Sequence, residues 1–313
     1  MADFKVVVSD QVFPTVDIER SLLSDIGAEL IVATGDIEEV LEVAGDADAI
    51  LNTYLPWTSE SISRLARCKI IARYGIGFDN VDLEAAAGAG IVVTNVPDYS
   101  VEEVATHALA LILTSLRKIV AADSSVRKGT WSIDAFRPIR RLSTMTVGLV
   151  GYGRIARQIA APLAALGADI VAHDPYLEPD PDLPPLISLE ELLTTADIVS
   201  LHSPLTEETR SMIGADELES MKPGAILINT SRGPLVDLDA LATALHEGQI
   251  AAAGLDVFDV EPLDPQRVEG VPNLTVTPHM AYYSEQALEE SQRKAATQVV
   301  KVLTGEQPDY RVN

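Results

Sequence analysis

The chain has 313 residues, 47% of them hydrophobic, which is enough for two domains of about 100–200 residues each. It carries 47 Asp and Glu against 23 Lys and Arg, a net charge of −24, so nucleic acid and anionic membrane surfaces are not expected as partners. Cys68 is the only cysteine, which excludes an intramolecular disulfide and an all-cysteine zinc site and fits a reducing cytoplasm. No run approaches roughly 18 uninterrupted apolar residues, so we expect no membrane span, and no metal site is expected.

The first third of the chain alternates short apolar runs with amphipathic segments. Amphipathic helices are predicted between the runs, for example over 18–27, where Gly27 is a candidate C-cap. A long helix is predicted over 100–129, and Ser100 and Glu103 have the spacing of a capping box. The Val- and Ile-rich runs predict strands buried on both faces: KVVVSD (5–10), AELIVAT (28–34), AILNTY (49–54), KIIARYG (69–75) and IVVTN (91–95).

The alternation restarts after the long helix. Repeated strand–helix units predict an α/β fold of two doubly wound parallel-sheet domains. The two halves are similar in sequence, since DIEEVLEVAGDADAILNTYLP (36–56) resembles SLEELLTTADIVSLHSPL (188–205). The next predicted strand ends in a loop that bears an arginine, Arg73 in the first half and Arg232 in the second. Ligands bind beyond the carboxyl ends of such strands, so a cleft holding both arginines is expected. The strands predicted in the second half are TVGLVGYG (146–153), DIVAHD (169–174), DIVSLHS (197–203), AILINTS (225–231), AAAGLDVF (251–258) and LTVTP (274–278).

The segment 146–174 has the layout of a dinucleotide-binding unit. Gly151 permits a tight turn after a strand, and Gly153 lets the backbone approach a pyrophosphate at a helix N-terminus. Ala156 takes the third position of the motif, and Arg154 adds positive charge. Asp174 ends the next strand, where a carboxylate accepts hydrogen bonds from the adenosine ribose and repels a 2′-phosphate. The pattern therefore predicts NAD rather than NADP.

Three further segments carry candidate catalytic side chains. NTSRGPLVD contains Arg232, GLDVFDVEP contains Asp256 and Glu261, and TPH ends at His279. Together with the glycine motif they resemble the D-isomer-specific 2-hydroxyacid dehydrogenases, and the resemblance extends to RYGIGFDNVD and NVPDYSVEEVA. The segments TPHMAYYSEQA and GFDN are most similar to the branch containing the C-terminal-binding protein corepressors and their bacterial dehydrogenase relatives.

The resemblance implies an architecture. An NAD-binding Rossmann domain over 100–284 would be inserted into a flavodoxin-like substrate domain formed by 1–99 and 285–313. The usual state of the family implies a homodimer, with the region of the long helix at the interface.

The resemblance also implies roles for individual residues. His279 would be the general acid/base, paired with Glu261, and Arg232 would bind the carboxylate and carbonyl oxygen of the substrate. Asp256 would contact the nicotinamide end of the cofactor, and Tyr282 stands where the corepressor branch has Trp. The remaining implied contacts are Val104, Ile155, Pro204, Thr230 and Ser231 with the cofactor, and Arg73 with the backbone of Tyr74, Gly75 and Ile76 with the substrate carboxylate.

The implied activity is NAD-dependent interconversion of a small 2-keto acid and a D-2-hydroxy acid. Histidine can supply the proton near neutral pH, and arginine can stabilise developing alkoxide charge. 3-Phosphoglycerate dehydrogenase and glyoxylate or hydroxypyruvate reductase are the alternatives, although a phosphorylated substrate would need further cations. An NADH-sensing interaction protein is the alternative from another class. Among the other histidines, His107 is interpreted as a satisfied core residue and His202 as a packing residue of the cofactor loop.

Overall fold

The computed structural model describes residues 3–313 and divides into two units. The first unit comprises the chain up to Ser100 together with Ser284–Asn313, and the second unit is Val101–Tyr283. Each unit is built around its own parallel sheet. The prediction of two doubly wound α/β domains is therefore confirmed.

The first unit contains a five-stranded sheet in the order β2-β1-β3-β4-β5, with every pair parallel. This is the flavodoxin-like order, which places a switch point between β1 and β3. The central strands are buried on both faces, as their apolar runs predicted. The strands are β1 (Phe4–Val8), β2 (Ala28–Val32), β3 (Ala49–Asn52), β4 (Ile70–Arg73) and β5 (Val92–Thr94), and the helices between them are α1 (Asp17–Ser24), α2 (Ile37–Ala44), α3 (Ser59–Ser63) and α4 (Leu83–Gly88).

The second unit contains a six-stranded parallel sheet in the order β7-β6-β8-β9-β10-β11. Its first five strands repeat the order of the first unit. The strands are β6 (Thr146–Val150), β7 (Asp169–His173), β8 (Ile198–Leu201), β9 (Ala225–Asn229), β10 (Ile250–Leu255) and β11 (Leu274–Val276), and the helices are α5 (Val101–Arg117), α6 (Ile119–Arg127), α7 (Arg154–Ala165), α8 (Leu189–Thr195), α9 (Ala215–Ser220) and α10 (Leu238–Glu247). The chain then returns to the first unit as α11 (Glu285–Leu303).

The single long helix predicted over 100–129 is wrong. Lys118 adopts a left-handed conformation, with φ 54°, and separates α5 from α6. The Ser100 hydroxyl is buried and has no hydrogen-bond partner within residues 3–313, so the predicted capping box does not form. α5 lies in the core of the second unit, whereas α6 buries none of its residues.

Within residues 3–313 no single helix is long and apolar enough to cross a bilayer. α5 and α6 together have the necessary length and apolar composition, but they are bent by 58° at the break between them. The core position of α5 accounts for its apolar composition.

The two similar sequence segments form equivalent elements in the two units. α2 and β3 in the first unit match α8 and β8 in the second, and β3 and β8 each pair with the first strand of their sheet. Arg73 ends β4 and Arg232 follows β9, the fourth strand of each sheet in chain order. The two arginines therefore occupy corresponding places at the carboxyl edges of two similar sheets.

Candidate active site

Three neighbouring strands of the second unit bring the candidate catalytic residues to one edge. β9, β10 and β11 are adjacent and parallel, so their carboxyl ends lie on the same side. Arg232 follows β9, Glu261 follows β10 and His279 follows β11. The sequence alone predicted this edge, because each residue comes after an apolar run.

Glu261 and His279 form a hydrogen-bonded pair. His279 Nδ1 lies 2.6 Å from Glu261 Oε2, and the Phe258 N–H donates to Glu261 Oε1 at 2.8 Å. Burial raises the pKa of Glu261, but the hydrogen bond and charge of His279, the Phe258 N–H and the charge of Arg232 outweigh it, so the pKa lies below its ordinary value. The carboxylate is thus held ionised beside the imidazole.

His279 has a backbone conformation that is uncommon for residues other than glycine. Its φ is 51°, in the left-handed region, where a residue with a Cβ is strained by about 1–3 kcal/mol. Its N–H donates to the Asp256 carbonyl at 2.8 Å, and the next two N–H groups, of Met280 and Ala281, donate to the Asp256 carboxylate at 2.9 and 2.8 Å. Asp256 therefore holds the loop that carries His279 in place.

The side chain of Asp256 is fully buried in this arrangement. Its contact with the nicotinamide end of the cofactor, implied by the resemblance, stays a prediction. In the structure both carboxylate oxygens accept hydrogen bonds from donors of the 277–281 loop. Its observed contacts are those of a residue that positions His279.

His107 belongs to the same network, which the sequence did not reveal. Thr277 Oγ1 lies 2.5 Å from Asp256 Oδ1 and donates its only hydrogen to that carboxylate. Its oxygen therefore accepts from His107 Nε2, which lies 3.0 Å away. His107 is satisfied, as predicted, but it lies on α5 one turn after Val104, on the helix face expected at the cofactor pocket, and that spacing was the available signal.

The Arg232 turn is held against the Glu261 loop by Gly233. A Cβ on Gly233 would lie 1.9 Å from the Phe258 carbonyl carbon, so only glycine permits this approach. Asn229 Nδ2 donates to the Arg232 carbonyl at 2.8 Å, and the Ser231 N–H donates to Asn229 Oδ1 at 3.0 Å. Sequence reasoning singled out Arg232 but missed Gly233 and Asn229.

The glycine motif after β6 has the geometry of a phosphate-binding turn. Gly151 has φ 84°, and a Cβ there would meet the backbone of His202 and Ser203 at 2.9 Å. Gly153 is the N-cap of α7, makes no side-chain cap, and a Cβ placed on it would meet no atom within 4 Å. The first turn of α7, which contains Arg154 and Ile155, thus begins at an open cradle that fits a pyrophosphate.

Asp174 lies next to this turn at the end of β7. Its Oδ2 accepts from the Tyr152 N–H at 2.9 Å and its Oδ1 from the Tyr176 N–H at 3.0 Å. The carboxylate is partly exposed and still has lone pairs for ribose hydroxyls. This position suits the predicted selection of NAD.

Two buried polar atoms lie on the loops after β8 and β9 and have no hydrogen-bond partner within residues 3–313. They are Thr230 Oγ1 and His202 Nδ1, and each is available to a bound molecule. Burial lowers the pKa of His202 to about 4, and its Nε2 lies 2.9 Å from Ser200 Oγ. The neutral ring fits the prediction that His202 packs rather than transfers protons.

The other predicted cofactor contacts occupy the same unit. Val104 is buried on α5, the Ser231 hydroxyl donates to the Leu201 carbonyl at 2.7 Å, and Pro204 is exposed after β8. Tyr282 meets His279 edge-on, with ring centroids 6.1 Å apart. Within residues 3–313 no cluster of three or more His, Cys, Asp or Glu could hold a metal ion.

The first unit holds the predicted carboxylate-binding segment. Arg73 is buried, and its Nε donates to the Gly77 carbonyl at 2.8 Å. The Tyr74 side chain is also buried and its hydroxyl donates to Glu19 at 2.8 Å, while its backbone N–H donates to the Asn52 carbonyl at 2.9 Å and its carbonyl accepts from the Ser291 hydroxyl. Asn95 Nδ2 donates to the Ile76 carbonyl at 2.7 Å, which orders the turn, and the N–H groups of Gly75 and Ile76 donate to no acceptor within residues 3–313.

Comparison with known proteins identifies relatives of this chain. Residues 109–281 match the family model for the NAD-binding domain of the D-isomer-specific 2-hydroxyacid dehydrogenases. The chain is 39% identical over 275 residues to D-3-phosphoglycerate dehydrogenase of Mycobacterium tuberculosis, covering 87% of this chain and 52% of that protein. It is 38% identical over 284 residues to glyoxylate reductase of Thermococcus litoralis, covering 88% of this chain and 86% of that protein. This chain thus spans about half the length of the phosphoglycerate dehydrogenase, but most of the length of the glyoxylate reductase.

A solved structure shows the same fold. The D-lactate dehydrogenase of Aquifex aeolicus, complexed with NAD and lactic acid, superposes with a TM-score of 0.88 at 32% identity, covering 96% of each chain.

Proposed function

The chain belongs to the D-isomer-specific 2-hydroxyacid dehydrogenase family, and we propose that it interconverts a small 2-keto acid and a D-2-hydroxy acid with NAD(H). The observation that carries this proposal is the 2.6 Å His279–Glu261 pair on the edge that also bears Arg232. The names of the relatives, a glyoxylate reductase and a D-lactate dehydrogenase, support the same substrate class.

His279 is the proton donor in the reductive direction. Its Nδ1 is engaged by Glu261, so Nε2 is the nitrogen that gives a proton to the carbonyl oxygen and takes it back in the oxidative direction. Because Glu261 is ionised, it stabilises the imidazolium and fixes the orientation of the ring.

Arg232 provides the positive charge of the site. Its guanidinium fork suits a carboxylate and a developing alkoxide, and the Asn229 and Gly233 contacts hold the turn that carries it. In the first unit, Arg73 and the free N–H groups of Gly75 and Ile76 bind the substrate carboxylate. Tyr282 forms an apolar wall beside His279.

The cofactor would lie at the carboxyl ends of β6, β7 and β8. Gly151, Gly153 and the first turn of α7 would receive the pyrophosphate, and Asp174 would bind the adenosine ribose and reject a 2′-phosphate. The buried hydroxyl of Thr230 would face the nicotinamide end, with Val104, Pro204 and Ser231 nearby. When bound, the nicotinamide supplies or accepts the hydride of the reaction.

The assembly we propose is a homodimer that acts in the cytoplasm. α6 and the segment after it expose apolar side chains to an extent that a second copy would cover, including Trp131, which is 89% exposed, and Ile133, which is 68% exposed. The buried free thiol of Cys68 is compatible with a reducing compartment. Light scattering of Trp131→Ser and Ile133→Ser would test the dimer, and an unchanged mass would contradict it.

The test of the activity follows NADH absorbance with pyruvate, glyoxylate, hydroxypyruvate and phenylpyruvate, with NADPH as the cofactor control. We expect turnover with at least one keto acid, and we expect His279→Gln to reduce kcat strongly while NADH binding, measured by fluorescence, is retained. NADH binding without turnover on any of these acids would contradict the enzyme and favour the NADH-sensing alternative.

A further inference from the structure

We propose that Glu19 is a positioning residue of the substrate site, which acts through the Tyr74 side chain to hold the carboxylate-binding turn 74–77. This inference rests on the proposed function, because the turn that Glu19 holds is the one assigned to the substrate carboxylate. Glu19 is a fully buried carboxylate that the mechanism does not use, and its contacts lead to this turn.

In the turn 74–77 the backbone acceptors are engaged and two donors are open. Within residues 3–313 the N–H groups of Gly75 and Ile76 have no acceptor, whereas all four carbonyl oxygens of the turn accept hydrogen bonds from the first unit. The donors are the Ser291 hydroxyl to Tyr74, the Val96 N–H to Gly75, Asn95 Nδ2 to Ile76 and Arg73 Nε to Gly77. The direction of the two open N–H groups therefore depends on how firmly this turn is held.

Glu19 holds the side chain of the first residue in the turn. Its Oε1 accepts from the Tyr74 hydroxyl at 2.8 Å, and Gln292 Nε2 lies 3.0 Å from both carboxylate oxygens. Burial, the charge of Glu19 and its hydrogen bond raise the pKa of Tyr74 well above its ordinary value, so the hydroxyl keeps its proton and remains the donor. Tyr74 is thus fixed at both ends, its hydroxyl by α1 and its carbonyl by Ser291 of α11.

The surroundings of Tyr74 and Glu19 offer no replacement for this hydrogen bond. Gln292 Nε2 also donates to the Thr15 carbonyl at 2.7 Å, and the ring of Phe13 meets that of Tyr74 edge-on, with centroids 4.6 Å apart. Glu19, Tyr74 and Gln292 are 0%, 1% and 4% exposed. A Tyr74 hydroxyl that lost Glu19 would therefore lack both this acceptor and solvent.

Stability alone does not account for a carboxylate at this place. The contacts of Glu19 within residues 3–313 are with neutral groups, and no Lys, Arg or His pairs with it. Its place in the first turn of α1 offsets part of the cost of burial, but a leucine would fill a similar space without that cost. What the carboxylate adds is an acceptor for the Tyr74 hydroxyl at a fixed point.

Removal of Glu19 should weaken substrate binding more than it slows the chemical step. Glu19→Leu leaves the Tyr74 hydroxyl buried without an acceptor, so the side chain must shift, and the backbone of Gly75 and Ile76 shifts with it. Because these N–H groups contact the carboxylate in the ground state and the transition state alike, the loss is in KM. We expect KM for the preferred keto acid to rise by about tenfold or more, with kcat changed by less than about threefold and NADH affinity unchanged.

The experiment compares the wild-type protein with Glu19→Leu, Glu19→Gln, Tyr74→Phe, the double variant Glu19→Leu/Tyr74→Phe and the control Asp17→Asn. Glu19→Gln keeps an oxygen that can accept from Tyr74, so its KM should stay near that of the wild-type protein. Tyr74→Phe removes the same hydrogen bond from the other side, so it should raise KM as well, and the double variant should raise it no further. Asp17 is an exposed residue of the same helical turn, and Asp17→Asn should leave KM unchanged.

Two results of these kinetics would overturn the role of Glu19. A residue that only supports the core would lower Tm when it is replaced and leave KM unchanged. Additive effects of Glu19→Leu and Tyr74→Phe on KM would show that Glu19 does not act through Tyr74. If Glu19→Leu does not fold, Tyr74→Phe provides the same test of KM, because it keeps the carboxylate and its contacts with Gln292.

A second measurement does not depend on turnover. Oxamate has a carboxylate beside an amide carbonyl that accepts no hydride, and it is titrated in the presence of NADH while Tm is followed, because a ligand that binds the folded state raises Tm. Oxamate should raise the Tm of the wild-type protein, Glu19→Gln and Asp17→Asn more than that of Glu19→Leu. If no keto acid is reduced, the proposed function fails, and this titration still decides the role of Glu19. An equal rise in all proteins, or none in the wild-type protein, would overturn that role.

Discussion

Gly233 offers a sharp test of how the catalytic edge is assembled. Replacing it with alanine places a methyl group 1.9 Å from the Phe258 carbonyl carbon, 2.1 Å from its oxygen and 2.4 Å from the Asp259 nitrogen. All three atoms belong to the backbone, so no side-chain rotation relieves the overlap. The turn carrying Arg232 and the loop carrying Glu261 must therefore move apart.

The required displacement follows from these distances. Ordinary Cβ contact begins at 3.4 Å, so the two segments must separate by at least 3.4 − 1.9 = 1.5 Å. A misplacement of about 1 Å in a catalytic array costs roughly a hundredfold in rate, and overpacking costs about 1–3 kcal/mol in stability. We expect Gly233→Ala to lower kcat/KM for the preferred keto acid by about a hundredfold or more and to lower Tm.

The assay combines steady-state NADH oxidation, NADH binding by fluorescence and thermal denaturation. NADH affinity should change much less than kcat/KM, because the glycine turn after β6 is untouched. Gly88→Ala is the matched control, since Gly88 is the exposed last residue of α4 and an added Cβ would meet no atom within 4 Å. If Gly233→Ala kept wild-type kcat/KM, the spacing between these two loops would not control the reaction.

Three further outcomes can be measured. Because folding lowers the pKa of Glu261, its ionised form adds stability above the ordinary pKa of 4.5, and this stability is lost as pH falls through the pKa of the folded state. The Tm of Glu261→Gln should therefore be below that of the wild-type protein at pH 7 and approach it in acid, and a Tm difference independent of pH would refute this. Asp174→Asn keeps an oxygen for the Tyr152 N–H but removes the charge, so the NADPH/NADH ratio of kcat/KM should rise by about tenfold, and an unchanged ratio would exclude Asp174 as the selector. His107→Phe and Thr277→Val should each cost about 1–3 kcal/mol of stability and be non-additive in the double variant, because they share one network; additive losses would separate them.

The sheets were predictable because strands buried on both faces appear as continuous Val- and Ile-rich runs. The predicted strands extended too far at their carboxyl ends, however: 5–10 ends at Val8 in the structure and 49–54 ends at Asn52. The surplus residues bend away from the sheet and form loops. Asp10 and Thr53 are among them, and they are joined by a hydrogen bond from the Thr53 N–H to Asp10 Oδ1 at 2.8 Å.

Other features required contacts that no local pattern contains. Lys118 breaks the long helix although the sequence around it has neither Gly nor Pro to mark a break. His107 is separated by 170 positions from its partner Thr277. The segment NTSRGPLVD was recognised, but the need for glycine at position 233 was not. Glycine is required there because the backbone of Phe258 lies against it, a contact that exists only in the folded chain.

Asp10, Asp174 and Asp256 hold loops in the same way, because each accepts hydrogen bonds from backbone N–H groups of a loop. A backbone N–H is present whichever residue occupies the position, proline excepted. Side chains on the held loops, such as Tyr54 and Met280, can therefore change during evolution without loss of the loop conformation. The sequences of these loops can thus diverge while the aspartates keep the loop conformations constant, which makes the loop positions better targets for mutagenesis libraries than Asp10 or Asp256.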